Sequence, residues 1–317
     1  MYRIGLDLGG TNIAVGLVDE NYEIVVKKST PTKAERSSEE IAADMAALCK
    51  AVCGEKGIDI KEIANIGVAT PGIANSPDGV VEYSCNLPFR NFPLSKAIAD
   101  DLGIPAERVK LANDANAAAW GEAVAGAAKG SSNSIMVTLG TGVGGGIIID
   151  NQIYTGFNYA GAEIGHIVIE IDGAQCGCGR KGCWEAYSSA TGLIRMTKEK
   201  LAECEAEGRY TVMSEATRIS GRTACDAMRA GDAAGKEVYD KYVKYLAAGL
   251  TNMINIFQPQ IISLGGGVSG EGQSLIDALE PLIRKEQYGC GFVDELTQLR
   301  IAKLGNDAGI IGAAVLA

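Results

Sequence analysis

Apolar residues follow two patterns along this chain, short β-type runs and longer helical stripes. Residues 2–8 and 13–18 are β-type runs joined by a Gly-Gly-Thr-Asn turn at residues 9–12, which predicts a hairpin. The same pattern returns later, because residues 4–19 and 135–150 align without a gap. Such an internal repeat predicts two halves that begin with the same hairpin.

Elsewhere the chain alternates strands with helices. Glu40 stands three residues after Ser37, the spacing of a capping box, and a stripe of apolar residues follows on one predicted helix face. Further strands are predicted at residues 23–28, 64–69, 108–112 and 260–264. Helices are predicted at residues 115–128, 184–205, 233–257 and 272–285, with shorter helical pieces at 214–230 and a closing strand, loop and helix from residue 299.

This alternation predicts an α/β protein of two moderately sized domains. The expected boundary is a hinge near Ala112 and Asn113. The small domain then covers residues 1–112, completed by residues 306–317, and the large domain covers residues 113–305.

Composition excludes several classes of protein. The chain has 317 residues, of which 47% are hydrophobic and 21% charged, as in ordinary globular proteins. Its formal net charge of −10 and the absence of a Lys/Arg cluster argue against nucleic-acid binding. No apolar run approaches the roughly 18 residues of a membrane span, and no signal peptide is expected. Nine cysteines without an export signal favour reduced thiols in the cytoplasm.

The only histidine of the chain, His166, precedes a dense group of cysteines, Cys176, Cys178 and Cys183. One imidazole and three thiols are sufficient ligands for a tetrahedral Zn²⁺ ion, and a closed four-ligand site is structural. The alternative is a cysteine-rich loop with buried thiols or one disulfide. A zinc ion here would fix the positions of the flanking carboxylates, Glu163 and Glu185.

Glycine-rich turns predict a nucleotide site. Backbone N–H groups and hydroxyls from the two hairpin turns can bind a polyphosphate from opposite sides, and a third glycine run follows the strand at 260–264. Asp7, at the end of the first strand, can hold Mg²⁺ or can simply accept the turn's N–H groups. Asp114 opens a helix, where it could be an N-cap. The predicted nucleotide-binding residues are Gly9, Gly10, Thr11, Gly140, Thr141, Gly142, Gly144, Gly265, Gly266 and Gly267.

Several motifs together resemble the ROK family of sugar kinases, repressors and open reading frames. They are DLGGT, the Asn113-Asp114 pair, LGTGVGGG, the E-x-x-H of Glu163 to His166, C-x-C-G-x-x-G-C-x-E, LGGGVS and LGNDAGIIGAA. The resemblance covers essentially the whole chain. It implies a two-domain actin-like ATPase (ribonuclease H-like) fold with a duplicated phosphate hairpin, in which ATP and sugar meet in a cleft between the domains.

The resemblance also implies roles for individual residues in an ATP-dependent sugar kinase, with glucose as the expected sugar. Asp114 matches the general base that takes the proton of the attacking hydroxyl. The sugar-contacting positions are Asn113, Glu163, His166 and Glu185, with Asn86 and Gly72 as further candidates. His166 would bind zinc through one ring nitrogen and a sugar hydroxyl through the other. A homodimer or homotetramer is expected.

The sequence leaves three alternatives open. The substrate could be fructose, allose, mannose or N-acetylmannosamine, since the same zinc motif serves several of these sugars. A sugar-sensing repressor is disfavoured, because the chain begins directly with the first strand rather than with a helix-turn-helix domain. A non-catalytic sugar-binding subunit is disfavoured by the intact Asn113-Asp114 pair and the complete glycine turns.

Overall fold

The computed structural model describes residues 1–317, and the chain divides into two compact units. The first unit contains Met1–Met136, Gly146–Ala162 and Lys303–Ala317, and the second contains Val137–Gly145 and Glu163–Ala302. None of the unit bounds falls near Ala112 and Asn113. The domain boundary predicted at those residues stays a prediction.

Strands and helices alternate along the chain, as the apolar pattern predicts. The strands are β1 (Arg3–Leu8), β2 (Asn12–Val18), β3 (Ile24–Pro31), β4 (Ile66–Thr70), β5 (Ile73–Asn75), β6 (Val80–Tyr83), β7 (Arg90–Phe92), β8 (Val109–Asn113), β9 (Ser134–Leu139), β10 (Val143–Ile149), β11 (Gln152–Ile153), β12 (Ile261–Gly265) and β13 (Gln298–Ile301). The α-helices are α1 (Ser38–Lys56), α2 (Leu94–Leu102), α3 (Asp114–Val124), α4 (Trp184–Ser188), α5 (Ala190–Ala206), α6 (Thr223–Arg229), α7 (Ala233–Phe257), α8 (Gln273–Glu286) and α9 (Ala308–Ala314).

Two five-stranded sheets carry the repeat. The first has the order β3-β2-β1-β4-β8, and the second has the order β11-β10-β9-β12-β13. In the first sheet β1 pairs antiparallel with β2 and parallel with β4, and β4 pairs parallel with β8. The two repeat hairpins, β1-β2 and β9-β10, occupy matching places in the two sheets, so the repeat read from the sequence is present in the fold.

The first sheet presents two different faces to its helices. On one face, Ile4, Leu6 and Leu8 of β1 are fully buried in a core that includes Ile41 and Met45 of α1. Helix α1 begins with the predicted capping box, since Ser37 Oγ accepts the N–H of Glu40 and the Glu40 carboxylate accepts the N–H of Ser37. The capping-box prediction is therefore confirmed.

On the other face, two glycines paired across neighbouring strands form a flat surface. Gly5 of β1 pairs with Gly67 of β4. A Cβ atom at Gly5 would stand 1.8 Å from the carbonyl oxygen of Ile310, and one at Gly67 would stand 1.8 Å from that of Ala313. Helix α9 thus packs its backbone directly on the sheet, an approach that only glycine permits.

Helix α3 packs against α9 equally closely. A Cβ at Gly312 of α9 would stand 1.7 Å from the carbonyl oxygen of Ala117. Glu122, a fully buried carboxylate on α3, accepts the N–H groups of Lys303 and Leu304 at 3.1 and 2.7 Å. Because a buried carboxylate is stable only with such donors, Glu122 ties α3 to the segment that leads into α9.

Helix α4 of the second unit is anchored by a large aromatic residue. Trp184 is fully buried, and its indole lies where a side chain at Gly249 of α7 would stand, with a Cβ there only 2.0 Å from the ring. Its Nε1–H donates to the carbonyl oxygen of Tyr245 at 3.1 Å. This hydrogen bond and the absence of a side chain at Gly249 together fix α4 on α7.

Two expectations require correction. The single helix predicted over residues 184–205 is wrong, because α4 and α5 are separated at Ser189, whose backbone is extended and whose Oγ accepts the N–H of Gly192. The three-stranded sheet β5-β6-β7 and helix α2 were not predicted. The strands of this sheet are three or four residues long, too short to show a periodic pattern.

No helix combines the length and the apolar composition needed to cross a bilayer.

Replacing Gly312 with Ala should destabilise the protein by about 2–3 kcal/mol, because the added methyl group would force α9 away from α3. Gly54 offers a matched control, since it is also helical and a Cβ there meets no atom within 4 Å. Gly54→Ala should stabilise by about 0.5–1 kcal/mol through helix propensity. Urea denaturation of both variants measures the difference; equal effects would contradict this account of the α3–α9 packing.

Candidate active site

Polar residues of the first unit gather at the edge where its parallel strands end. Asp7 lies near the end of β1, Gly72 follows β4, and Asn113 ends β8. In the register of the sheet Asp7 pairs with Ala69 and Thr70 pairs with Asn113. The carboxyl ends of parallel strands are the usual location of ligands in open α/β sheets.

Asn113 connects this edge to helix α3. Its Oδ1 accepts the N–H groups of Ala115 and Asn116 at 3.0 and 3.3 Å, and its Nδ2 donates to the carbonyl oxygen of Gly72 at 3.1 Å. Asn113 is therefore the N-cap of α3, and the alternative interpretation of Asp114 as that cap is wrong. Asp114 is the first helical residue, and more than a third of its surface is exposed.

The carboxyls of Asp7 and Asp114 have altered proton affinities. Burial, reinforced by the negative charge of Asp114, raises the pKa of Asp7 to about 6, and the ammonium of Lys27 partly opposes the shift. Desolvation by the surrounding protein atoms raises the pKa of Asp114 as well. The N–H of Ala115, which donates to Asp114 Oδ1, partly opposes this shift. Helix α9 contributes to this enclosure, because a Cβ at Gly309 would stand 3.0 Å from an Asp7 oxygen.

Each hairpin turn of the repeat is three residues long and is closed by one backbone hydrogen bond. In the first turn the N–H of Gly9 donates to the carbonyl oxygen of Asn12 at 2.9 Å, and in the second the N–H of Gly140 donates to that of Gly142 at 3.0 Å. Asn86 is exposed beside the first turn, its Cβ 3.7 Å from where a Cβ at Gly10 would stand. The N–H groups of Gly10, Thr11, Thr141 and Gly142 have no backbone acceptor.

The third glycine run contacts the second hairpin. Gly265 ends β12, and Gly266 has a φ of +84° and lies against the backbone of Leu139, where a Cβ would come within 2.6 Å. Ser269 Oγ donates to the carbonyl oxygen of Gly266 at 2.7 Å. The two predicted nucleotide-binding segments of the second unit are thus neighbours. Only glycine suits position 266, because its φ is positive and a Cβ would overlap the backbone of Leu139.

Glu185 links the second turn to the cysteine cluster. Its Oε2 accepts the N–H of Val143 at 3.0 Å, and its Oε1 accepts the thiol of Cys176 at 3.5 Å. Gly144, in β10, is the next residue of that hairpin. Glu185 was predicted as a sugar contact, whereas here its carboxylate also fixes the backbone directly after the second turn.

The predicted zinc ligands lie together. The donor atoms of His166, Cys176, Cys178 and Cys183 are all within 4.8 Å of one another. The Cys178 and Cys183 sulfurs are 3.6 Å apart, and Cys176 Sγ is 3.8 Å from His166 Nδ1. Ligands about 2.3 Å from a tetrahedral zinc ion stand about 3.8 Å from each other, so the donor set and its spacing fit this metal.

The other ring nitrogen of His166 lies near a carboxylate. His166 Nε2 lies 3.9 Å from Glu163 Oε2, and the Glu163 side chain is 70% exposed. The pKa of the Cys178 thiol is lowered, chiefly because the N–H of Arg180 donates to its sulfur. The cluster therefore has an imidazole directed at the thiols by Nδ1, and a carboxylate beside its Nε2.

The candidate residues divide between the two compact units. Asp7, the first turn, Gly72, Asn86, Asn113 and Asp114 belong to the first unit, and Glu163, His166, Glu185 and the other two glycine runs belong to the second. Sequence reasoning missed Thr32 and Thr191, whose hydroxyls donate to carbonyl oxygens of the two turns. Nothing in their local sequence indicates this role, because each partner is distant along the chain.

Comparison with known proteins places this arrangement in one family. The model of the ROK family matches residues 3–317. The chain belongs to the ROK family. It is 37% identical to a glucokinase of Streptomyces coelicolor over 317 residues, covering 99% of this chain and 96% of that protein. A glucokinase of Thermotoga maritima is 35% identical over 312 residues, covering 98% and 95%.

A solved structure of this family is similar throughout. The ROK family glucokinase from Streptomyces griseus, in complex with glucose and AMPPNP, has a TM-score of 0.78 and 34% identity, covering 100% of this chain and 99% of that chain. The fold class that the family resemblance implies, a two-domain actin-like ATPase fold, is confirmed by this likeness.

Asp7→Asn should raise the free energy of unfolding at pH 8 by about 1–3 kcal/mol, because the amide carries no charge that burial penalises. The pKa of Asp7 is about 6 in the folded protein against an ordinary 3.8. Its ionisation therefore opposes folding increasingly as pH rises from about 4 to about 6, and fully above that.

Urea denaturation at pH 8 and at pH 4.5 tests this effect, and the gain should shrink at the lower pH. Asp294, an exposed aspartate, provides the matched control, and Asp294→Asn should change stability little at either pH. A gain from Asp7→Asn that is equal at both pH values would contradict the effect of burial.

Proposed function

We propose that this chain is an ATP-dependent glucokinase that transfers the γ-phosphoryl group of Mg-ATP to D-glucose, giving glucose 6-phosphate and ADP. Full-length similarity to glucokinases at 35–37% identity supports the reaction. The observation that carries the mechanism is Asp114, a carboxyl with a raised pKa and exposed surface at the strand edge beside Asp7.

Asp114 is assigned as the general base for the attacking sugar hydroxyl. A raised pKa makes a carboxylate a stronger proton acceptor near neutral pH, and exposed surface leaves it accessible to a hydroxyl. The N-cap role of Asn113 holds the start of α3, and hence Asp114, in place. Phosphoryl transfer depends mainly on such positioning and on charge neutralisation.

Asp7 is assigned to Mg²⁺. When bound, the ion neutralises phosphate charge, and it commonly takes one or two carboxylates plus phosphate oxygens. The raised pKa of Asp7 reflects a buried negative charge with little compensation, an environment that favours a cation. The free N–H groups of Gly10, Thr11, Thr141 and Gly142 are assigned to the phosphate chain.

The sugar is assigned to Asn113, Glu163, His166 and Glu185, with Asn86 and the backbone of Gly72. The Glu163 side chain is exposed, and its carboxylate lies 3.9 Å from His166 Nε2, beyond hydrogen-bond distance, so the carboxylate is available to hydroxyls. Asn113 has a second N–H on Nδ2 beyond the one given to Gly72. Carboxylates, an amide and an imidazole together suit a polyol.

His166, Cys176, Cys178 and Cys183 are assigned to a structural Zn²⁺, which would fill four ligand positions and leave none for water. Binding through Nδ1 leaves Nε2 of His166 beside Glu163. All nine cysteines are free, which suits a reducing compartment and supports a cytoplasmic location.

ADP release from Mg-ATP should show a higher kcat/KM with glucose than with any of six other sugars: mannose, fructose, allose, glucosamine, N-acetylglucosamine and N-acetylmannosamine. Asp114→Asn should lower kcat by about 10²–10⁴-fold or more through loss of the base, while calorimetry still detects glucose binding. Asp294→Asn should keep wild-type activity. A faster sugar would move the substrate assignment, and an active Asp114→Asn variant would refute the base.

Metal analysis of the purified protein should find about one zinc per chain. Cys178→Ser should lose both the metal and the activity, since three remaining ligands bind zinc far less tightly. Cys290→Ser, in a cysteine outside the cluster, should retain both. Fully active, stable protein without zinc would remove the structural role assigned to the metal.

A further inference from the structure

Both phosphate turns have carbonyl oxygens that accept hydrogen bonds from residues outside the turn. In the first, Thr32 lies directly after β3 and is fully buried. Its Oγ1 donates to the carbonyl oxygen of Gly9 at 2.7 Å, and its N–H donates to that of Thr11 at 3.0 Å. One threonine therefore holds two of the three carbonyls of this turn.

The second turn is held from the start of α5. The N–H of Ala190 donates to the carbonyl oxygen of Gly140 at 2.8 Å, and Thr191 Oγ1 donates to that of Thr141 at 2.7 Å. Gly9 and Gly140 occupy equivalent positions in the sequence repeat. The same carbonyl is thus held in both halves, by a hydroxyl in one and by a backbone N–H in the other.

These contacts determine where the turn's N–H groups point. In a planar trans peptide the C=O of one residue and the N–H of the next are directed oppositely, and the chain has no cis peptide bond. Holding the Gly9 carbonyl on Thr32 therefore turns the N–H of Gly10 to the other side. Holding the Thr141 carbonyl on Thr191 does the same for the N–H of Gly142, and neither N–H has a backbone acceptor.

We propose that Thr32 and Thr191 are positioning residues for the nucleotide phosphates, acting through the N–H groups of Gly10 and Gly142. This inference rests on the proposed function, which assigns the two turns to the phosphate chain. Oriented N–H groups bind an anion best when no reorganisation is needed. Without the hydroxyls, each peptide plane can rotate and present its carbonyl oxygen, which repels phosphate.

A purely structural role for the two hydroxyls makes a different prediction. It would change stability alone, whereas positioning changes nucleotide affinity and leaves glucose affinity unchanged. Thr→Val removes the hydroxyl at nearly constant volume, and Thr→Ser retains it. Thr197 is the matched control, because its buried Oγ1 also donates to a backbone carbonyl, that of Leu193 at 2.8 Å, within α5.

The experiment measures KM for ATP, KM for glucose and the Kd for Mg-ADP in the full-length protein. Thr32→Val and Thr191→Val should raise KM for ATP and Kd for Mg-ADP about three- to tenfold, the effect of one neutral hydrogen bond, with KM for glucose unchanged. Thr32→Ser and Thr191→Ser should restore wild-type values. Thr197→Val should leave nucleotide affinity unchanged.

The results separate this inference from the proposed function. Unchanged nucleotide affinity in both valine variants, or serine variants as weak as the valine ones, would overturn the inference while glucose phosphorylation stands. If Thr32→Val fails to fold, the exposed Thr191 decides the question alone. Wild-type protein that neither binds Mg-ADP nor phosphorylates glucose would overturn both.

Discussion

The first unit depends on the direct contact between the backbone of α9 and the first sheet. Gly5 and Gly67 are paired in neighbouring strands, and any side chain on either would overlap a carbonyl oxygen of α9. Because α9 lies this close, a Cβ at Gly309 would stand 3.0 Å from an Asp7 carboxyl oxygen, and one at Gly312 would stand 1.7 Å from the carbonyl oxygen of Ala117 on α3. The position of α3 determines that of Asp114. The environments of Asp7 and Asp114 therefore both depend on the absence of side chains at Gly5 and Gly67.

This packing has an electrostatic consequence. Close enclosure removes water from Asp7, and the nearby charge of Asp114 adds to the effect, while Lys27 offsets only part of it. Lys27 is also paired with Asp307, which precedes α9. The protein therefore maintains a carboxylate that destabilises the fold at neutral pH. Such a cost is common at sites whose charge is completed by a ligand, here a divalent cation in the proposed function.

The features that sequence predicted best are those fixed by neighbours along the chain. The hairpin repeat, the Ser37–Glu40 capping box and the grouping of His166 with three cysteines each depend on short spacings. The break at Ser189 was missed because both flanking segments are strongly helical. In the structure, Ser189 Oγ accepts the N–H of Gly192 and so starts a new helix there.

The features that sequence could not provide are contacts between distant segments. Thr32 meets a turn 23 residues earlier, and Thr191 meets one 50 residues earlier. The small sheet β5-β6-β7 is likewise defined by cross-strand pairing rather than by a periodic pattern. A sequence pattern shows which residues are available for a site, whereas only the folded chain shows which backbone groups are already satisfied.

The second unit positions the carboxylate of Glu185 by the same means as the first positions its aspartates. Gly249 has no side chain, so the indole of Trp184 can occupy that space and hold α4 on α7. Glu185 follows Trp184 directly, and this anchorage directs its carboxylate at the N–H of Val143 and the thiol of Cys176. A side chain at Gly249 would therefore disturb the second turn and the cysteine cluster together, although it touches neither. In both units, the absence of a side chain at a packing contact determines the position of a charge at the site.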